Sequence, residues 1–515
     1  MTLSTIPRFL AVLVVGLAVG AGRAGFADDE KERESRLVGN DQDEGEEPEK
    51  KEKPEKAEKP KKSRKADKSD EDGESAPPVE PERPRAAPSK NFDIPQDLPQ
   101  KLQSELAEAI ALFEDAQKTG TGSSKAMKRA VERLKQVSEK LRQSPLPLYY
   151  LGLAYQDQRN FSEAKRVLEK AVTLGPNFYE AVTELANVYR WQRDHKGSLG
   201  VYEKALTLKP ENTLALDGKA RALITLGRFK EAQIYLGELV RLEPTEERTR
   251  LVKSLDVELK GPRWARAFVR ESENFAVHTS VSQELADEVA AHAELIRRVY
   301  NRVFASTKIA KPERKYPIWV YENRDAYVKG GGPPWAGGHF DPTMRKLVIF
   351  KYTAKAEMYT VIYHEAFHQY LQDYSEGAPQ WFNEGLGDYF GGFEYQKRGI
   401  EEFMVARPSK NRLRVILYAL RAEITPLPSE LLTMSRAEMY SGNIGVNYAM
   451  AWSLIYFLLE GRNHPYKPIL EKYFGAIVQG KNTQEAYDST FGRIDMTRFT
   501  KDWQAFTRNV KITGN

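Results

Sequence analysis

The sequence predicts a multidomain chain: an all-α solenoid of repeated helix pairs, then an α+β domain. Three observations predict it. Pro176, Pro210 and Pro244 recur every 34 residues through a helical apolar pattern. Strand-like apolar runs begin at Phe275 and alternate with long helical segments. Within that second region two histidines stand four apart, at His364 and His368. At 515 residues the chain is long enough for two or three cores. Its formal charge of +5, from 78 basic and 73 acidic residues, shows no concentrated basic face, so nucleic acid is not an expected partner.

Residues 1–27 read as a signal peptide. Arg8 precedes the apolar run Phe9 to Ala21, and small residues follow up to Ala24 and Ala27 before Asp28. The run is short of the roughly 20 apolar residues that a membrane span needs. The expected location is therefore outside the cytoplasm, in the periplasm or envelope or secreted, with a membrane partner only if this segment stays uncleaved. The chain has no cysteine, so neither an acyl anchor nor a disulfide is available to it. Residues 28–92 are dominated by Glu, Lys, Asp, Pro and Ser in blocks of like charge. Such a stretch buries too little apolar surface to offset its conformational entropy, and a disordered linker is expected.

The solenoid is expected over 145–260, preceded at 93–144 by a helical cap or degenerate repeat. Counting back from each proline, Leu148, Gly152, Tyr155, Ala164 and Leu168 have counterparts in Val182, Ala186, Tyr189, Ser198 and Tyr202. A third set follows with Leu216, Ala220, Leu223, Ala232 and Leu236. Small residues at fixed positions let paired helices approach, while large ones fill the space between them. The period and these positions resemble three tetratricopeptide repeats. Lys219, Ser198 and Leu239 depart from the pattern. The resemblance implies a concave surface that holds a peptide or protein partner, or else a packing module for the domain that follows.

The second domain is expected from 261 to 515. Phe275–Thr279, Tyr316–Tyr321 and Lys346–Phe350 read as strands, and Gln283–Val303 as an amphipathic helix. Residues 329–339, with five glycines and His339, read as a loop at a cleft or a long hairpin connection, with His339 in solvent. The Lys346–Phe350 strand is either a sheet edge, to which an extended substrate would add, or an ordinary interior strand.

His364-Glu365-Ala366-Phe367-His368 lies in an apolar helical stretch. Residues four apart share a helix face, so both imidazoles can aim at one point, with Glu365 beside them. A catalytic zinc takes three protein ligands and leaves one position open. Downstream, Trp381-Phe382-Asn383-Glu384-Gly385-Leu386-Gly387-Asp388 offers Glu384 as the third ligand. Asp388, one turn on, is a candidate to orient a ligand histidine from behind. Together the two motifs resemble the gluzincin zinc metallopeptidases, and look most like exported peptidase MA-like families of unknown function. The resemblance covers roughly the last 250 residues and is concentrated between Tyr359 and Tyr389.

That resemblance implies one zinc ion on His364, His368 and Glu384, with Glu365 as general base and Asp388 behind a ligand histidine. It also implies a downstream oxyanion-stabilising side chain. Tyr448 is the first candidate and Tyr440 the second. Many gluzincins carry alanine where this chain has Gly387, a difference expected to cost helix propensity and not chemistry. The expected activity is zinc-dependent hydrolysis of a peptide or protein substrate. The alternative is an exported interaction scaffold whose zinc domain is catalytically silent.

Overall fold

The computed structural model describes residues 99–119, 125–307, 314–375, 377–398, 401–461 and 465–512, all within one compact unit. The expected signal peptide, the linker, and residues 93–98 of the cap lie outside the described residues.

The helical half begins with a pair, α1 (Gln100–Thr119) and α2 (Lys125–Lys140), in the region expected to cap the array. Three more pairs follow: α3 (Leu146–Asp157) with α4 (Phe161–Leu174), α5 (Tyr179–Trp191) with α6 (His195–Leu208), and α7 (Thr213–Thr225) with α8 (Phe229–Leu242). Helix α9 (Glu246–Lys260) closes the array. The repeat shows in the turns as well as the prolines. Arg159, Arg193 and Gly227, spaced by the same period, all adopt left-handed backbone with φ of 55°, 65° and 74°. Asn160 and Asp194 then cap the second helix of their pairs, accepting from the amides of Glu163 and Gly197.

Lys219, which departs from the repeat pattern, keeps its stem buried. It sends its ammonium to Glu203 and over the Tyr235 ring, 4.2 Å from its centroid.

The C-terminal half is built on a five-stranded sheet. Its strands are β1 (Phe268–Glu271), β2 (Phe275–Thr279), β3 (Tyr316–Tyr321), β4 (Gly338–Asp341) and β5 (Lys346–Phe350), in the order β1-β2-β3-β5-β4. β2, β3 and β5 are parallel, and the two outer strands run antiparallel to their neighbours. Helix α10 (Gln283–Val303) links β2 to β3, and α11 (Arg324–Lys329) follows β3. Helix α12 (Lys355–Gln372) carries the histidine pair and α13 (Gln380–Gly391) the downstream motif. A hairpin of β6 (Phe393–Arg398) and β7 (Glu401–Ala406) comes next. Then come α14 (Lys410–Arg421), α15 (Pro428–Thr433), α16 (Arg436–Met439), α17 (Ile444–Glu460), α18 (Lys467–Val478), α19 (Thr483–Ser489) and α20 (Met496–Asn509).

Sheet and helices share one core, in which Ile318, Ile349, Ile296, Ile362, Phe367 and Trp452 are at most 1% exposed. Each such side chain contributes about 1.5–3 kcal/mol relative to exposure. Helix α12 lies within this core and is buried at every position from Met358 to Leu371 except Thr360. A Cβ at Gly385 would stand 2.8 Å from the Ala451 carbonyl, so α13 meets α17 at a distance only glycine permits.

Of the two placements open to it, the Lys346–Phe350 strand takes the interior one, which corrects the edge reading. It lies between β3 and β4, and the short β4 takes the edge by folding back antiparallel on it. His339 is neither on a loop nor in solvent. It sits on β4, 7% exposed, with Nδ1 2.8 Å from the Tyr327 hydroxyl, and burial pushes its imidazole down to about 3.

The repeats and the sheet meet at the turn between β4 and β5. Met344 in that turn joins the cluster of Leu216, Leu251 and Leu255. Lys346, at the start of β5, pairs with Glu258 of α9 at 2.6 Å with both side chains buried, and its ammonium lies 3.4 Å from the Trp319 ring centroid.

Candidate metal centre

Helix periodicity turns His364 and His368 to one side of α12, with ring centroids 4.8 Å apart. Helix α13 brings Glu384 against them. Glu384 Oε2 lies 3.5 Å from His364 Nε2 and 3.8 Å from His368 Nε2. One donor atom from each of the three residues falls within 4.8 Å of the others. A tetrahedral zinc with bonds of about 2.0–2.2 Å separates its donors by roughly 3.3–3.5 Å, so the cluster is close to the size that ion requires.

The unpaired atoms test the fit more sharply. His364, Glu365 and Glu384 are fully buried and His368 is 3% exposed. Among the described residues, His364 Nε2, His368 Nε2, Glu384 Oε2 and both Glu365 oxygens have no hydrogen-bond partner. Leaving a buried polar atom unsatisfied costs about 1–3 kcal/mol, more where charge is involved. Five such atoms in one place fit a divalent cation and a polar ligand beside it.

The far side of each imidazole is held. His368 Nδ1 lies 2.8 Å from Asn383 Oδ1, which accepts the Nδ1 proton and leaves Nε2 as the donor. His364 Nδ1 lies 3.3 Å from Asp388 Oδ1, and Asp388 is itself paired with Arg412 of α14 at 2.7 Å. Glu384 Oε1 accepts from Gln380 at 2.5 Å and lies 3.4 Å from the Tyr440 hydroxyl.

These neighbours displace the titrations in different directions. Burial pushes the Glu365 carboxyl up to about 8, with Glu384 adding to the effect of burial and His364 opposing it. Burial takes His368 down to about 4. For His364 burial acts downward too, but Asp388 and Glu384 outweigh it and raise the imidazole to about 10. Asp388 stays below the usual carboxylate range despite its burial, because Arg412 and His364 face it.

His364, Glu365, His368, Glu384 and Asp388 are thus brought together. Tyr440 touches this group through Glu384. Tyr448 reaches it one step further out, its hydroxyl donating to that of Tyr440 at 3.3 Å, with the Arg412 guanidinium 5.0 Å from its ring. From the sequence Tyr448 is the first candidate and Tyr440 the second; of the two, Tyr440 is the one in contact with Glu384. The sequence reading assigns no role to Asn383, Gln380 or Arg412. Asn383 and Gln380 flank Glu384 closely enough to have been weighed, whereas Arg412 is brought in from a separate helix.

Gly387 does more than lower helix propensity. A Cβ built there would stand 2.8 Å from His364 Nε2, the atom that faces the cluster, so the missing side chain makes room for a ligand imidazole.

Comparison with known proteins covers the two halves separately. Residues 149–213 and 215–246 match tetratricopeptide repeat families. Residues 358–473, which include both motifs, match a family described as "Protein of unknown function (DUF1570)". The type IV pilus assembly protein PilF of Pseudomonas aeruginosa is 29% identical over 160 residues, covering 30% of this chain and 64% of that protein. Anaphase-promoting complex subunit 3 of Schizosaccharomyces pombe is 29% identical over 98 residues, 19% of this chain and 15% of that protein. Among solved structures, MamA from residue 41 onward, from Desulfovibrio magneticus RS-1, is 18% identical with a TM-score of 0.28, covering 30% of this chain and 86% of that one. The chain therefore carries a tetratricopeptide solenoid followed by a mixed α/β region, and repeats of this kind typically bind protein partners.

Proposed function

We propose that the protein is an exported zinc-dependent peptidase whose repeats recruit or orient a protein. The observation that carries this reading is the convergence of unpaired, buried His364 Nε2, His368 Nε2 and Glu384 Oε2, with the Glu365 carboxylate beside them. A structural metal has no use for an unpaired carboxylate beside its three ligands, and a hydrolytic one does.

Zinc held by His364, His368 and Glu384 would supply Lewis-acid polarisation and an acidified water. Glu365 accepts the proton of the attacking water and returns it to the leaving amine. Asn383 and Asp388 hold the ligand imidazoles with Nε2 turned inward. Tyr440, backed by Tyr448, is the hydroxyl nearest the ligand set from the side of α16 and α17, and is the better of the two to steady the oxyanion. The assignment to the exported class is supported by the Arg8–Ala21 segment. Among the described residues no helix is long and apolar enough to cross a membrane.

The test is metal analysis beside activity on peptide pools, for wild type, His364→Ala and Glu365→Gln. One zinc per chain is expected in wild type and in Glu365→Gln, and none in His364→Ala. Hydrolysis falls by about 10²–10⁴ in Glu365→Gln, the usual worth of a general base. Protein that holds no zinc under zinc-replete conditions, or whose turnover survives Glu365→Gln, overturns the reading. Zinc without turnover in any pool leaves an interaction scaffold with a silent metal domain.

A further inference from the structure

The Tyr440 side of the metal centre carries a cation that nothing in the fold answers. Arg436 opens α16, which packs on the ligand helix α13. Its Nε and Nη2 are buried and have no hydrogen-bond partner among the described residues. The contact it does make is with the Tyr440 ring, 6.0 Å from guanidinium carbon to centroid. Tyr440 in turn touches Glu384.

Other covered arginines in this domain each reach an acceptor, although the Nε of Arg345 is bare. Arg412 has Asp388, and Arg345 and Arg297 share Asp373. Arg314, whose Nε is also bare, gives its Nη2 to the Met344 carbonyl. Arg436 has no such substitute. Arg436 as a whole is part-exposed, but two of its guanidinium donors are closed off from water with no acceptor, a costly state for each, so their retention beside the metal cluster calls for a ligand. The two bare nitrogens are themselves informative. Nε–H and one Nη–H lie on one edge of the planar group and point the same way, a fork that matches the two oxygens of a carboxylate. The metal donors show the same signature of buried, unpaired atoms on the other side of Glu384, and there it indicates a cation.

We propose that Arg436 binds a carboxylate of the substrate, so that the peptide cleaved carries an acidic side chain or its own free C-terminus close to the scissile bond. This rests on the metallopeptidase reading and narrows its substrate class. Arg436 acts in specificity. It takes no part in proton transfer, and the Glu365 chemistry does not need it.

Binding tests it without a known substrate. Zinc-loaded full-length protein is titrated calorimetrically with hydroxamates of graded chain length ending in a carboxylate, against their counterparts ending in a neutral amide. Wild type is expected to prefer the best-fitting acid over its amide by at least about tenfold, in keeping with a charge-assisted pair. Arg436→Met abolishes the preference, Arg436→Lys restores part of it, and the neutral probes bind all three proteins alike. Equal binding of acid and amide by wild type, or a preference that survives in Arg436→Met, overturns the proposal while leaving the metal site standing. Failure of every hydroxamate to bind protein that holds zinc removes the open metal site, and this proposal with it. Peptide pools then separate the sources: free C-termini with Gln in place of Glu, against amidated C-termini with Glu retained. Cleavage of a pool lacking both carboxylates as fast as the others also overturns it.

Discussion

Two buried polar clusters, one in each half of this chain, are held on opposite terms. In the repeats the Tyr202 hydroxyl donates to Asn187 at 2.6 Å, and the Asn212 amide to Thr183 at 2.7 Å, so each pair closes on itself. In the α/β half, α12 and α13 bring His364, Glu365, His368 and Glu384 together and leave their inward atoms bare. Both regions sit in well-packed apolar surroundings, so packing does not distinguish them. Satisfaction does: a buried pair that completes itself serves the fold, and a buried group that cannot is arranged for something else.

The largest test of that contrast is removal of the ion. A ligand present at about a thousand times its Kd stabilises the folded state by roughly 4 kcal/mol. Chelation should therefore speed amide hydrogen exchange in the interiors of α12 and α13 by up to about a thousandfold. The interiors of α3 to α6 rest on separate clusters, one around Tyr149, Leu168 and Leu185 and one around Val182, Tyr202 and Ala205, and their exchange should stay unchanged. Equal loosening of both would show that the repeats depend on the metal after all.

For the repeats the effective lever is pH. Glu184 is buried, receives a hydrogen bond from Asn187 at 3.2 Å, and has its carboxyl raised by burial from 4.5 to about 7, with Gln156 and Arg190 opposing and Asp157 adding. A carboxyl raised in the folded state favours folding fully below its unfolded value, near 4.5. That contribution is lost as pH rises through 7. The shift corresponds to at most about 3 kcal/mol. Glu184→Gln keeps the acceptor for Asn187 and removes the ionisation. In urea unfolding the variant should gain on wild type at pH 8 and lose that advantage by pH 5. An advantage independent of pH would mean that Glu184 is not held neutral.

Gly387→Ala probes the metal half at the level of one methyl group. The new Cβ would press on His364 Nε2 from 2.8 Å, and a buried imidazole already held by Asp388 has little freedom to move. Zinc affinity should fall by about 10–100-fold, the loss typical when the support of a ligand is disturbed. Competition with a chromophoric chelator measures it, and unchanged affinity would return Gly387 to a matter of helix propensity.

Much of this was legible because it is local. The i, i+4 histidines, the proline period and the strands at 275–279, 316–321 and 346–350 all lie within single elements, where periodicity speaks directly. What was missed depends on distant partners. β1 and β4 have four residues each, too few to show alternation, and β4 becomes a strand only because β5 offers it an antiparallel edge. His339 was misread with it. The roles of Asn383, Arg412 and Gly387 depend on how α12, α13 and α14 face one another, which no spacing encodes. The placing of the two tyrosines has the same cause: Tyr448 lies in the more regular helix, while only packing brings Tyr440, at the end of the four-residue α16, nearer Glu384.

Gly200 gives the smallest effect and the cleanest contrast with Gly387. It lies inside α6 on the exposed side, and a Cβ there would meet nothing within 4 Å. Glycine in a helix interior is less favourable than alanine by about 0.5–1 kcal/mol, chiefly because the unfolded glycine backbone has more freedom to lose. Gly200→Ala should therefore stabilise the repeats by up to about 1 kcal/mol, with zinc content unchanged. The same substitution thus carries opposite signs in the two halves. On α13 the glycine is a space kept clear for a ligand side chain, and on α6 it fills no such need. If Gly200→Ala instead destabilises in urea unfolding, that face of α6 is covered in the folded protein by something beyond the described residues.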